Sequence, residues 1–206
     1  MTGSELVTLV RDQDVMDEIL NLKRDFLKTE DSFMDIGDSD FISLVLMAPT
    51  IGVTLANGSV SLYEELSLNK KVRKLSRRSF FLNSDALTQS VKYLVKNFSK
   101  WEDRFYKVIK TTMHSSLKRN NVVLNTLKNP EALTGDIRRD ILNTPYIFVK
   151  FLSFLFLEED DDLLNERTIN KVELDKIVEI GEKLEIDNVP IFQAFCYTFR
   201  VREEME

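Results

Sequence analysis

Cysteine is nearly missing from this chain, with Cys196 the single one among 206 residues. One thiol excludes an intrachain disulfide and any zinc site built on several cysteines. It also points to a reducing compartment, here taken as the cytoplasm. Histidine is equally scarce: His114 stands alone, so a histidine-rich zinc site is excluded, and its place late on a helix beside Lys110 and Lys118 suits a structural or surface role. Six glycines and four prolines leave no Ser/Gly-rich or Pro-rich linker, and one compact domain over 1–206 is expected. No GxGxxG or Walker loop is present, so nucleotide binding has no support. The run Phe41 to Ala56 falls short of the ~20 residues a spanning helix needs and contains Pro49 and Gly52. Tyr146 to Leu157 is shorter still and is interrupted by Lys150. Both read as central helices buried on most sides. The N-terminal stretch lacks the basic lead and unbroken apolar region of a secretory signal. No alternating apolar pattern argues for strands, so the chain reads as all-helical.

Against these absences stands an apolar content of 43% with 14 phenylalanines, enough for one sizeable core. The most organised stretch is Phe41 to Leu75: an apolar run, an Asn57-Gly58 turn, and an amphipathic run opened by Ser61-x-x-Glu64. In such a box the serine accepts from the Glu64 amide while the Glu64 carboxylate reaches back to the Ser61 amide, satisfying two orphan donors of a helix start. The last third echoes it, with Tyr146 to Leu157, a polar loop, and Asn170-x-x-Glu173, where Ile169 takes the place of Val60. The expected fold is an all-α bundle of about seven to nine helices built on two pseudo-repeated helix-loop-helix hairpins.

Along the chain, an N-terminal docking helix is expected within 1–30 and hairpin one over 39–78, capped by Asp38, Ser39 or Asp40. Pro49 should bend the first helix of that hairpin near Ala48. In its second helix Leu62, Leu66, Val72 and Leu75 are expected to point inward. Middle helices follow over 84–128, one capped by Asn83 or Ser84 and one opened by Ser99-x-x-Glu102 and broken at Asn120 and Asn121. Short helices are expected near 122–127 and 136–142. Hairpin two spans 144–186, launched by Thr144-Pro145, with Val172, Ile177, Ile180 and Leu184 inward. A C-terminal helix covers 189–203.

The phrase Ala56-Asn57-Gly58-Ser59-Val60-Ser61 followed by Glu64 resembles the A-D-G-x-[VI]-S-x-x-E turn of the TerB tellurite-resistance family and of the related domain in the co-chaperone DjlA. Thr168-Ile169-Asn170 with Glu173 is similar to the second hairpin of that pseudo-symmetric helical fold. The resemblance, over roughly residues 38–200, implies a helical domain with roles in stress responses and in scaffolding with protein partners, and metal binding by acidic residues at the turns. Asn57 stands where the family's turn aspartate would be, and the second turn, Leu163 to Arg167, has no Asp-Gly.

Charge is unevenly placed. Residues 1–66 sum to −9, 67–119 to +11, 120–157 to +1 and 158–206 to −9. Lys70, Lys71, Arg73, Lys74, Arg77 and Arg78 form a candidate face toward an anionic partner, or a face that the acidic ends neutralise internally. The acidic run 158–162 and the following loop supply weak candidate metal ligands, Asp160, Asp162, Glu166 and Glu173. Counted as a calcium loop, Leu164 and Arg167 fill positions that need an oxygen donor and a glycine. Ser115 and Ser116 adjoin His114 without nucleophile–base geometry, and Cys196, among aromatics, reads as a small buried hydrophobe. No catalytic residue and no cofactor is assigned, and the sequence leans away from an enzyme. The expectation is a cytoplasmic TerB-like interaction or scaffold module with a protein partner. The alternatives are a nucleic-acid-associated protein using the basic middle, or a metal-dependent sensor or enzyme using the acidic loop.

Overall fold

A computed structural model describes residues 13–29, 36–58, 60–76, 86–119, 121, 127, 128, 134, 136, 139, 144–157 and 165–202. Among them lie nine helices and one two-stranded sheet, so the chain is predominantly helical. It divides into two compact units, Met1–Thr112 and Met113–Glu206.

In the first unit, α1 (Gln13–Leu27) buries Val15, Ile19, Leu22 and Phe26, whose spacing of four, three and four residues lays one apolar stripe along a helix. Phe26 sits within an aromatic cluster, with ring centroids 5.5 Å from Phe41, 5.5 Å from Tyr93 and 5.0 Å from Trp101. Two further helices, α2 (Asp38–Leu46) and α3 (Ala48–Leu55), form the central apolar run, bent by 43° at Met47. Pro49 in the first turn of α3 explains the break, because its ring denies the helix a backbone donor and crowds the preceding turn. The bend thus falls where the sequence put it. The cap of α2 does not: Gly37 is the N-cap, without a side-chain bond, and Asp38 and Asp40 occupy the first turn, where carboxylates favour the helix dipole. From Phe41 to Ala48 every described side chain but Ile42 is buried, and α2 contacts α1, α3, α4 (Leu62–Ser76) and α5 (Ala86–Lys96). The run is the hub of this unit.

The turn after α3 closes at Gly58, whose φ of +83° needs a residue without a Cβ. On α4 the inward side chains are Leu68 and Val72, at 3% and 0% exposure, whereas Leu62 and Leu66 lie 74% and 61% exposed. This bears out Val72 and corrects Leu62 and Leu66, while the side chain of Leu75 lies outside the described ones. The helix has two apolar stripes, and the pair Leu68 and Val72, which lies about 120° round the helix from Leu62 and Leu66, faces α2. Next, α6 (Phe98–Arg119) starts one residue before Ser99, so that serine sits in the first turn instead of capping it. Asn97 separates α5 from α6, its carbonyl accepting from the Lys100 amide at 3.1 Å. The helix ends before Asn121, which takes a φ of +55°.

In the second unit, α7 (Tyr146–Phe156) has Pro145 as N-cap, one residue later than the Thr144-Pro145 pattern suggested, and buries Phe148, Phe151, Leu152 and Leu155. Two three-residue strands that the sequence did not announce, β1 (Arg167–Ile169) and β2 (Phe199–Val201), pair in parallel with Ile169 opposite Val201. Strands this short offer too few residues for an alternating pattern to be recognised. Between them lie α8 (Lys171–Lys183) and α9 (Pro190–Tyr197). On α8, Ile177, Ile180 and Leu184 are buried as expected, but Val172 is 51% exposed, being well off the stripe those residues define. Phe192 packs its ring against Phe156 and Phe195 at 5.9 and 6.3 Å. Gly181 on α8 allows that packing, because a Cβ there would lie 2.4 Å from the Phe192 ring. The α8 C-terminus folds back with Glu185 at φ +61° and the Ile186 amide donating to the Gly181 carbonyl at 2.9 Å, a Schellman closure.

The short helices expected over 122–127 and 136–142 fall largely outside the described residues, as do the caps at Asn83 and Ser84 and the acidic run 158–162. No single helix among the described residues is long and apolar enough to cross a membrane.

Candidate functional site

The two motif turns are built as reciprocal caps. At the first, the Glu64 amide donates to Ser61 Oγ at 3.2 Å, while a Glu64 carboxylate oxygen accepts from the Ser61 amide at 2.7 Å and from the Ser61 hydroxyl at 2.6 Å. These bonds, the hydroxyl first, hold the Glu64 carboxyl below its ordinary range, since each stabilises the charged form. At the second, the Glu173 amide donates to Asn170 Oδ1 at 2.8 Å and the Asn170 amide donates back to Glu173 at 3.2 Å. Both glutamates matched to the family's turns are therefore engaged with their own helix starts.

That engagement bears on the metal reading. Glu173 serves as a cap, and Glu166 is exposed and paired with Arg200 of β2. Asp160 and Asp162 lie outside the described residues. No cluster of three or more His, Cys, Asp or Glu able to hold an ion occurs among the described residues. At the first turn a metal would have to draw on Asn57 and on a Glu64 carboxylate that already accepts two bonds from Ser61, which is a poor donor set for a hard cation that takes six or more oxygens.

The basic middle is partly neutralised within the first unit. Arg104 meets Asp25 at 2.6 Å, Lys107 meets Glu18 at 3.5 Å and Lys92 meets Glu65 at 3.5 Å. Arg104 and then Lys28 hold the Asp25 carboxyl below its usual range by hydrogen bonding. Acidic residues of α1 and α4 thus face cations of α5 and α6, which weakens the case for a phosphate-binding strip there. Of the candidate anionic-partner face, Lys70 is exposed and Lys71 turns back to donate to Thr50 Oγ1 at 3.1 Å. Arg73 and Lys74 are carried on α4, and Arg77 and Arg78 fall outside the described residues.

His114 and Ser115 are half-buried on α6, and Ser116 accepts from Arg119 at 3.3 Å. Cys196 is half-buried on α9, and burial pushes its thiol up to about 12, so it is no nucleophile at neutral pH. What the sequence reading missed is an outward cluster at the start of α4: Leu62, Tyr63 and Leu66, at 74%, 82% and 61% exposure. A signal was present, since the pair Leu62 and Leu66 is centred about 120° round the helix from the pair Leu68 and Val72.

No protein-family model, curated protein or solved structure matches the chain.

Proposed function

We propose that this chain is a non-enzymatic, cytoplasmic TerB-like helical domain that works as an interaction or scaffold module for a protein partner in a stress-related system. The observation that carries this reading is the pair of reciprocal caps, Ser61 with Glu64 and Asn170 with Glu173, at the two turns whose sequence resembles the family's. Their acids serve the backbone, which leaves the hairpins as rigid supports for exposed side chains. Such supports suit recognition, because ordered elements lose little entropy on binding. Exposed apolar groups, among them Tyr146 and Tyr197 at 71% and 85%, are the kind of residue that anchors a partner.

The test is affinity isolation of the tagged full-length chain from native extract, with and without nuclease. Recovery of a protein in near-equal amount, unaffected by nuclease, supports the module. Recovery of nucleic acid alone, with release on nuclease treatment, overturns it in favour of the nucleic-acid reading.

A further inference from the structure

The start of α4 presents three large apolar side chains to solvent although the helix has already satisfied its packing on the other side. Leu68 and Val72 are buried, while Leu62, Tyr63 and Leu66 are 74%, 82% and 61% exposed. Helical spacing puts Lys70 one turn beyond Leu66 on the same outward face, and it too is exposed. By helical position Arg73 and Lys74 fall on the same side, and Arg77 and Arg78 follow in the sequence, while Lys71 turns back to Thr50. The two acids nearest the apolar group are already engaged within the chain, Glu64 in the Ser61 cap and Glu65 with Lys92. This side of the helix is therefore apolar at its start, with Lys70 exposed one turn beyond.

We infer that the outward face of α4 docks on an anionic lipid surface, with Leu62, Tyr63 and Leu66 entering the interface and Lys70 meeting the headgroups. Charge complementarity selects this occupant. A cluster of four to eight cations on an amphipathic helix is the composition that binds acidic phospholipid, and leucine beside tyrosine is the composition that settles at the boundary between headgroup and acyl chain. The side of a single helix needs no complementary groove when the partner is a fluid sheet. This inference is independent of the protein-partner reading, and either survives failure of the other.

The experiment is co-sedimentation of the full-length chain with vesicles of phosphatidylcholine containing about one-quarter phosphatidylserine, beside vesicles of phosphatidylcholine alone. The chain is expected to sediment with the anionic vesicles at low salt and to be released as salt rises. Replacing Leu62, Tyr63 and Leu66 together by serine should lower partitioning at least about tenfold, and Lys70→Gln about fivefold. Because exposed side chains are altered, far-UV circular dichroism should stay unchanged. Tyr63→Trp, which keeps an aromatic ring, should show blue-shifted emission on anionic vesicles. Equal binding to phosphatidylcholine alone, binding that survives the triple serine variant, or Tyr63→Trp emission that does not move would overturn the inference. So would a chain that ignores anionic vesicles but retains polyglutamate through the same residues, which would assign the face to an acidic protein.

Discussion

Gly181→Ala tests the packing of the second unit at its tightest point. A Cβ at position 181 would stand 2.4 Å from both Cε1 and Cζ of Phe192, whereas carbon atoms in contact settle ~3.5–4.0 Å apart. The ring would have to retreat by roughly an ångström. It has little room to do so, being 2% exposed and ringed by Phe156 and Phe195. Overpacking of this kind costs about 1–3 kcal/mol. Alanine in place of glycine inside a helix returns about 1 kcal/mol. With the ring confined, the clash belongs in the upper part of that range and outweighs the gain, so the net expectation is a loss of about 1–2 kcal/mol, or about 2–8 °C in Tm for a chain of this size. Urea and thermal unfolding followed by circular dichroism read it directly. Adding Phe192→Leu should recover part of the loss, so that the double variant is less destabilised than the two single changes summed. An unchanged or raised Tm for Gly181→Ala would refute the reasoning, because it would mean that the two helices do not approach as closely as the geometry states.

Other consequences follow from the ends of α8 and from α9. Asn170→Ala removes a cap and should cost about 1 kcal/mol in urea unfolding, with Asn170→Ser recovering most of it. Glu185→Gly should stabilise by about 0.5–1 kcal/mol, since a left-handed residue with a Cβ is costly at that position of a Schellman closure; a destabilised variant would show that the positive φ is not adopted. Cys196, with its thiol pushed up to about 12, should react with iodoacetamide near pH 8 on the order of a thousandfold more slowly than the unfolded chain. Equal rates with and without urea would contradict its burial.

What could be read from the residues was whatever local chemistry decides. Ser61-x-x-Glu64 and Asn170-x-x-Glu173 are closed within four residues, and both caps form as written. Pro49 likewise forces its bend by a clash with its own preceding turn. What stayed hidden depends on partners distant in the chain. Whether Leu62 or Leu68 faces inward is set by where α2 lies against α4, and α4 alone offers both stripes. The pairing of Arg167–Ile169 with Phe199–Val201 joins segments separated by two helices, and three residues a side carry no periodic signature. Ser99-x-x-Glu102 misled because the pattern of a capping box also occurs inside a first turn, where Asn97 had already ended the preceding helix. The internal neutralisation of the basic middle was one of two readings left open by the sequence, and the pairs of Arg104 with Asp25 and Lys107 with Glu18 settle it for those residues.

Central to the proposed function is that the glutamates of the two motif turns serve their own helices and not a metal ion. Carboxyl-detected NMR of Glu64 and Glu173, followed through a pH titration and then through addition of calcium, magnesium and zinc, measures this directly. Glu64, whose carboxyl is lowered in the folded chain, contributes stability that is present above its ordinary 4.5 and is lost as pH falls through the folded value. The predicted result is a Glu64 midpoint below 4.5, with both carboxyl signals unmoved by saturating metal. Movement of both signals together on adding one of the ions, with a rise in Tm, would contradict it.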